Sequence, residues 1–118
     1  MSSLAPPRYK TIGILGGMGP LATLDLFQKI ILNTKAGTDQ EHIPVLVNSN
    51  TRIPDRTAAI DSGSQAPVEE MVRSALQLEC AGAQLIAVPF NPAHPFLSGL
   101  AAMVRVPVLN MIEETARA

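Results

Sequence analysis

Residues 11–23, TIGILGGMGPLAT, constrain this chain more than any other stretch. Residues 11–15 have strand character and run into a glycine-rich turn at 16–19. Pro20 follows, and then Thr23, Leu26, Phe27, Ile30 and Ile31 recur at helical spacing. Proline suits the first turn of a helix, where its missing N–H would have no intrahelical partner. A strand, a glycine turn and a helix start in this order present free backbone N–H groups at the positive end of a helix dipole. The turn is therefore built to receive an anion, either a phosphate or a carboxylate.

The pattern set by this unit continues along the chain. A second strand is expected over 43–48, followed by the polar run NSNTRIPDR. A helix is expected over 67–80, with Val68, Met71, Val72 and Ala75 on its apolar face and Gly82 ending it. A third strand is expected over 84–89, where the apolar run from Leu85 suits a strand buried on both faces. A short helix from Pro95 through Met103 leads to a fourth strand over 106–110, and 111–118 read as the opening of another helix. This βαβαβαβ order predicts an α/β three-layer sandwich around a four-stranded parallel sheet. Ligands of such sheets sit beyond the carboxyl ends of the strands. All four expected strand ends carry polar or glycine-rich residues, at 16–19, 48–56, 91–94 and from Asn110 onward.

Composition narrows the function classes. With 118 residues and 47% apolar content, the chain is one globular domain. A net charge of −1 and the scattered Phe27, Phe90 and Phe96 give no nucleic-acid footprint. No apolar run has the length of a membrane span. Residues 1–10, MSSLAPPRYK, lack the apolar core of a signal peptide and read as a disordered leader to a domain over 11–118. The lone Cys80 excludes an intrachain disulfide, offers no metal cluster and is expected as a buried structural thiol. A cytoplasmic protein follows. The final residue, Ala118, falls within the second turn of the last expected helix, so a truncated lobe is expected.

Several motifs compete for the glycine turn and the strand ends. Gly17, Gly19 and Ala22 fit the spacing of a dinucleotide fingerprint, but the second strand ends in Asn48–Ser49–Asn50 without the acidic residue that holds ribose hydroxyls. No Lys-Ser or Lys-Thr pair follows the glycines, which excludes a P-loop. Asn50, Arg52 and Arg56 follow the second strand, where two arginines are suited to clamp a carboxylate or, alternatively, to pair with Asp55 or face solvent. His94 stands at a helix start, which favours a structural hydrogen bond over a general-base role. Met18 and Met103 are read as packing residues.

Together these segments resemble the aspartate/glutamate racemase family, most closely its cofactor-independent aspartate racemases. The resemblance rests on GILGGMGPLAT (13–23), DQEHIP (39–44), IPDRT (53–57), Gly82 and Ala83, PFNPAHPF (89–96) and VPVLNMIEETA (106–116). It implies one lobe of a two-lobed fold that holds an amino acid such as aspartate or glutamate between its lobes. In such enzymes two cysteines, one per lobe, act as opposed acid and base at the α-carbon, with no pyridoxal phosphate or other cofactor. Inversion needs a base on each face of that carbon. The resemblance assigns substrate binding to Gly17, Met18 and Gly19, to Arg52 and Arg56, and to Asn91, and Asn50 joins them by its position.

Two departures from the family pattern, at Phe90 and Pro92, together with the expected absence of the second lobe and its cysteine, alter the expected activity. The family pattern Pro-Cys-Asn-Thr-Ala-His reads Pro89–Phe90–Asn91–Pro92–Ala93–His94 in this chain. Phe90 takes the place of the first catalytic cysteine and can neither accept nor give a proton. The expectation is a member of the racemase family that does not racemise by itself. The alternative is a non-catalytic amino-acid-binding or assembly module derived from a racemase lobe. An open lobe exposes apolar surface, so a homo-oligomer is expected.

Overall fold

A computed structural model of the protein describes residues 9–54, 66–89 and 94–110, with only the backbone at 66 and 94–97. The elements are β1 (Ile12–Gly16), α1 (Pro20–Asn33), a 3-10 turn (Asp39–Glu41), β2 (Val45–Ser49), α2 (Ala66–Cys80), β3 (Leu85–Val88), α3 (His94–Met103) and β4 (Val108–Asn110). The strands form one sheet in the order β2-β1-β3-β4, and every pair is parallel. The α/β architecture, its parallel sheet and its strand order along the chain are as the sequence implied. The expected leader lies outside the described residues apart from its last two, and so does the expected last helix.

Alternation of side chains along the strands divides the core into two layers. Ile12, Ile14 and Ala87 point to the α1 side, where they meet Leu26, Phe27 and Ile30. Leu15, Ile86, Val88 and Val108 point the other way, against Met71, Ala75 and Leu78 of α2 and Leu100 of α3. Helices cover both faces, which makes the three layers. No described helix is long and apolar enough to cross a membrane.

Helix α2 ends as the glycine in its sequence foretells. Gly82 adopts φ +110, a conformation that L side chains rarely adopt. Its N–H donates to the Glu79 carbonyl at 3.1 Å, and the Ala83 N–H donates to the Leu78 carbonyl at 2.9 Å. These two bonds form a Schellman cap, with Ala83 and Leu78 both in the core.

Element boundaries differ from the expected ones for identifiable reasons. Strand β2 starts at Val45 rather than at 43, because Pro44 has no N–H and contributes only its carbonyl, which accepts the Ile12 N–H at 3.0 Å. Strand β4 starts at Val108 rather than at 106. The Glu79 carboxylate takes the backbone N–H groups of Arg105 (2.8 Å) and Val106 (3.2 Å), so those residues form a turn braced by α2. Pro107 again supplies only a carbonyl, to the Ile86 N–H. Gly16, read as turn, is still strand and pairs with Ser49.

Two burial expectations fail. Cys80 is exposed. The buried face of α2 runs through Met71, Ser74, Ala75 and Leu78, and Cys80 lies two residues past Leu78, about 200° around the helix. Met103 is 61% exposed. It is the last residue of α3, and Val104, one position on, packs against the core in its place.

Candidate functional site

The strand order 2-1-3-4 places the topological switch between β1 and β3, since the chain leaves β1 toward one edge of the sheet and returns to its other side. Crevices at such switch points, outside the carboxyl ends of the strands, are where doubly wound sheets hold ligands. The glycine turn after β1 lies at that point.

The turn is held in place from two sides, by Asn50 and by Thr23. The Asn50 N–H donates to the Gly16 carbonyl at 3.0 Å, extending the β1–β2 ladder one residue past the end of β2. The Gly17 N–H donates to the Thr23 hydroxyl at 2.9 Å, and that hydroxyl donates to the Gly19 carbonyl at 3.2 Å. The Thr23 N–H reaches the same carbonyl at 3.2 Å and makes the first intrahelical bond of α1. A Cβ on Gly16 would collide with the Thr23 side chain. Gly17 has φ +112, and a Cβ there would collide with the Asn50 backbone. Both positions therefore require glycine. Gly19 differs: it is the extended N-cap of α1, and a Cβ there would meet nothing within 4 Å.

The electrostatics of this end of α1 are open to an anion. No acidic residue stands in its first turn. Among the described residues nothing accepts from the N–H groups of Met18 or Gly19. The Met18 side chain is half-buried and packs on the core of the α2 layer, so it anchors the loop from beneath.

The neighbouring strand end is built differently. The Asn50 amide donates to Ser74 Oγ at 2.7 Å and to Glu70 Oε1 at 3.2 Å, and its Oδ1 accepts the Arg52 N–H at 3.0 Å. Asn48 bonds to Gln77 Oε1 (2.8 Å) and to the Ser74 carbonyl (3.3 Å). Arg52 is exposed and, with Glu70 and Arg73, lines a polar cleft of about 310 Å³ between β2 and α2. Arg73 Nε lies 3.7 Å from Glu70 Oε2.

Of the expected site residues, Gly17, Met18, Gly19 and Asn50 thus lie together, and Arg52, two residues after Asn50, stands on the cleft. Arg56, Phe90 and Asn91, and the side chain of His94, lie outside the described residues. Sequence reasoning missed Thr23 as a loop residue and Ser74 and Glu70 as the partners of Asn50. Thr23 lay within view, since its hydroxyl comes six residues after Gly17, but its place on the apolar face of α1 masked it.

Comparison with known proteins places this architecture in a family. The model of the Asp/Glu/hydantoin racemase family matches residues 15–118. The broad specificity amino-acid racemase RacX of Bacillus subtilis (strain 168) is 30% identical over 112 residues, which are 90% of this chain and 48% of that protein. The chain thus spans about half the length of that curated relative. The aspartate racemase of Picrophilus torridus superposes with a TM-score of 0.76 at 32% identity, covering 92% of this chain and 72% of that one. An aspartate racemase homologue from Pyrococcus horikoshii OT3 superposes with a TM-score of 0.74 at 25% identity, covering 92% and 48%. A strand–glycine-loop–helix unit at the switch point of a 2-1-3-4 parallel sheet, matched by this family over 104 of 118 residues (15 through 118), has one reading: the chain belongs to the Asp/Glu/hydantoin racemase family.

Proposed function

We propose that this chain is an amino-acid-binding lobe of the racemase family, that it takes a dicarboxylic amino acid such as aspartate or glutamate, and that it does not invert that amino acid on its own. The observation carrying the proposal is the pair of N–H groups at Met18 and Gly19, without acceptors among the described residues, at an α1 N-terminus free of acidic side chains. Such a terminus favours a carboxylate. In this reading the Met18 and Gly19 N–H groups receive one carboxylate, and Gly17, whose own N–H is held by Thr23, shapes the turn that presents them. Arg52 and Arg56 hold the other, as guanidinium groups do by bidentate hydrogen bonds. Asn50 braces the turn that carries them, and Asn91 contacts the backbone end of the substrate. The lobe would work without pyridoxal phosphate, in the cytoplasm, as residues 11–118 of a homo-oligomer.

Phe90 favours binding over turnover. Inversion in this family uses a thiol on each face of the α-carbon, and a phenyl ring supplies no base. Nuclear magnetic resonance (NMR) titration with D- and L-aspartate should move the amide signals of Met18 and Gly19, and incubation of either enantiomer should leave its circular dichroism unchanged against a protein-free control. Restoring the thiol with Phe90→Cys should not by itself produce racemisation. Loop amides indifferent to aspartate and glutamate would overturn the binding reading. Exchange of the α-proton for deuterium would overturn the claim that the chain lacks a base, with His94 the first residue to test.

A further inference from the structure

We propose that Thr23 is the positioning residue of the glycine loop: its hydroxyl sets the loop in the form that leaves the Met18 and Gly19 N–H groups available to an anion. The inference rests on the proposed carboxylate site and names the side chain that builds it. Thr23 is 3% exposed, so its hydroxyl touches no ligand and acts only through the loop.

The loop has three amide hydrogens that could in principle be directed outward, at Gly17, Met18 and Gly19. The Thr23 hydroxyl takes the first of them at 2.9 Å. With its own proton it bonds to the Gly19 carbonyl at 3.2 Å. One oxygen, six residues beyond Gly17, therefore ties the entry of the loop to its exit. A hydroxyl suits this task because it accepts and donates at once, whereas an amide would need two atoms and more room. The room is not there, since the Thr23 side chain lies where a Gly16 Cβ would be. The Gly19 carbonyl, bonded by both the hydroxyl and the Thr23 N–H, is turned into the helix and away from the anion it would otherwise repel.

The link also explains why Thr23 sits on a helix face that is otherwise apolar. Leu26, Phe27 and Ile30 continue that face into the α1 layer of the core. A valine at position 23 would serve that packing equally well, and only the loop needs the oxygen. Without it the Gly17 N–H is left unpaired in a buried place, and the loop must rearrange or admit water to satisfy it.

The test compares Thr23→Val, which keeps the shape and removes the oxygen, with Thr23→Ser, which keeps the oxygen. Two quantities are read by NMR: amide hydrogen exchange at Gly17, and the affinity of the Met18 and Gly19 amides for L-aspartate. In the unaltered protein Gly17 should be protected while Met18 and Gly19 exchange fast and slow down when aspartate is added. Thr23→Val should accelerate Gly17 exchange and weaken aspartate about tenfold, the ratio that corresponds to one lost hydrogen bond. Thr23→Ser should restore both to within about threefold. A Thr23→Val protein that binds aspartate with unaltered affinity overturns the proposal. If Thr23→Val does not fold, the unaltered protein decides, and an unprotected Gly17 amide overturns it. If the unaltered protein ignores aspartate, the substrate reading fails separately, and inorganic sulfate replaces aspartate as the probe. Sulfate perturbing the loop amides of Thr23→Ser but not of Thr23→Val still supports the latch, and equal or absent responses overturn it.

Discussion

The carboxyl ends of β1 and β2 lie side by side, joined by the bond from the Asn50 N–H to the Gly16 carbonyl, yet they are built on opposite plans. At the β1 end the residues are nearly all glycine, and the groups left available belong to the backbone. At the β2 end the residues carry amides, hydroxyls and a guanidinium, but the amides of Asn48 and Asn50 are committed to Ser74, Gln77 and Glu70 of α2. The two amides are thus spent on architecture. In the proposed function the first carboxylate is left to the plainer loop, because a backbone N–H at a helix terminus has no rotamers to lose when it meets an anion, and the β2 end adds only its arginines.

If this contrast is correct, substitutions at the two ends should differ in kind. The largest effect is expected within the loop itself. Gly17→Ala must either strain a φ of +112 or displace the Asn50 backbone, and should cost about 3 kcal/mol, read as a fall in the denaturation midpoint. Gly19→Ala, two residues away in open space at φ −91, should change stability by less than about 0.5 kcal/mol. Gly19→Ala is also the sharper probe of function, since a methyl group beside its N–H should weaken a bound carboxylate while leaving the fold intact. Equal destabilisation at the two glycines would break the account of the loop.

An intermediate effect is expected at the β2 end. Asn50→Ala removes bonds to Glu70, Ser74 and the Arg52 N–H together, and should destabilise by about 2 kcal/mol. Ser74 is fully buried, so the same substitution also strands its hydroxyl. The smallest effect belongs to Arg73→Ala, whose ion pair with Glu70 is long and whose side chain is largely exposed. A change within about 0.5 kcal/mol is expected there, and little dependence on salt.

The sequence carried the architecture well because strand and helix signals alternate without ambiguity, and the glycines at 16, 17 and 82 stand where the backbone needs them. It carried the boundaries less well at Pro44 and Pro107. A proline can lend its carbonyl to a ladder it cannot otherwise join, and no local pattern reports that. It misplaced Cys80 and Met103 because a helix face is set by what packs against it, not by apolar character alone. It found the loop but not the latch. Threonine is neutral in a hydrophobic pattern, and only the folded turn shows its hydroxyl closing on Gly17. The partners of Asn50 lie 20 and 24 residues along the chain and were out of reach of any local reading.

The most direct measurement is a crystal structure of the protein with L-aspartate. One carboxylate is expected within about 3 Å of the Met18 and Gly19 amide nitrogens, beyond the end of β1. Aspartate seated instead in the cleft between Arg52 and Arg73, with its carboxylates away from the glycine loop, would contradict the proposed site.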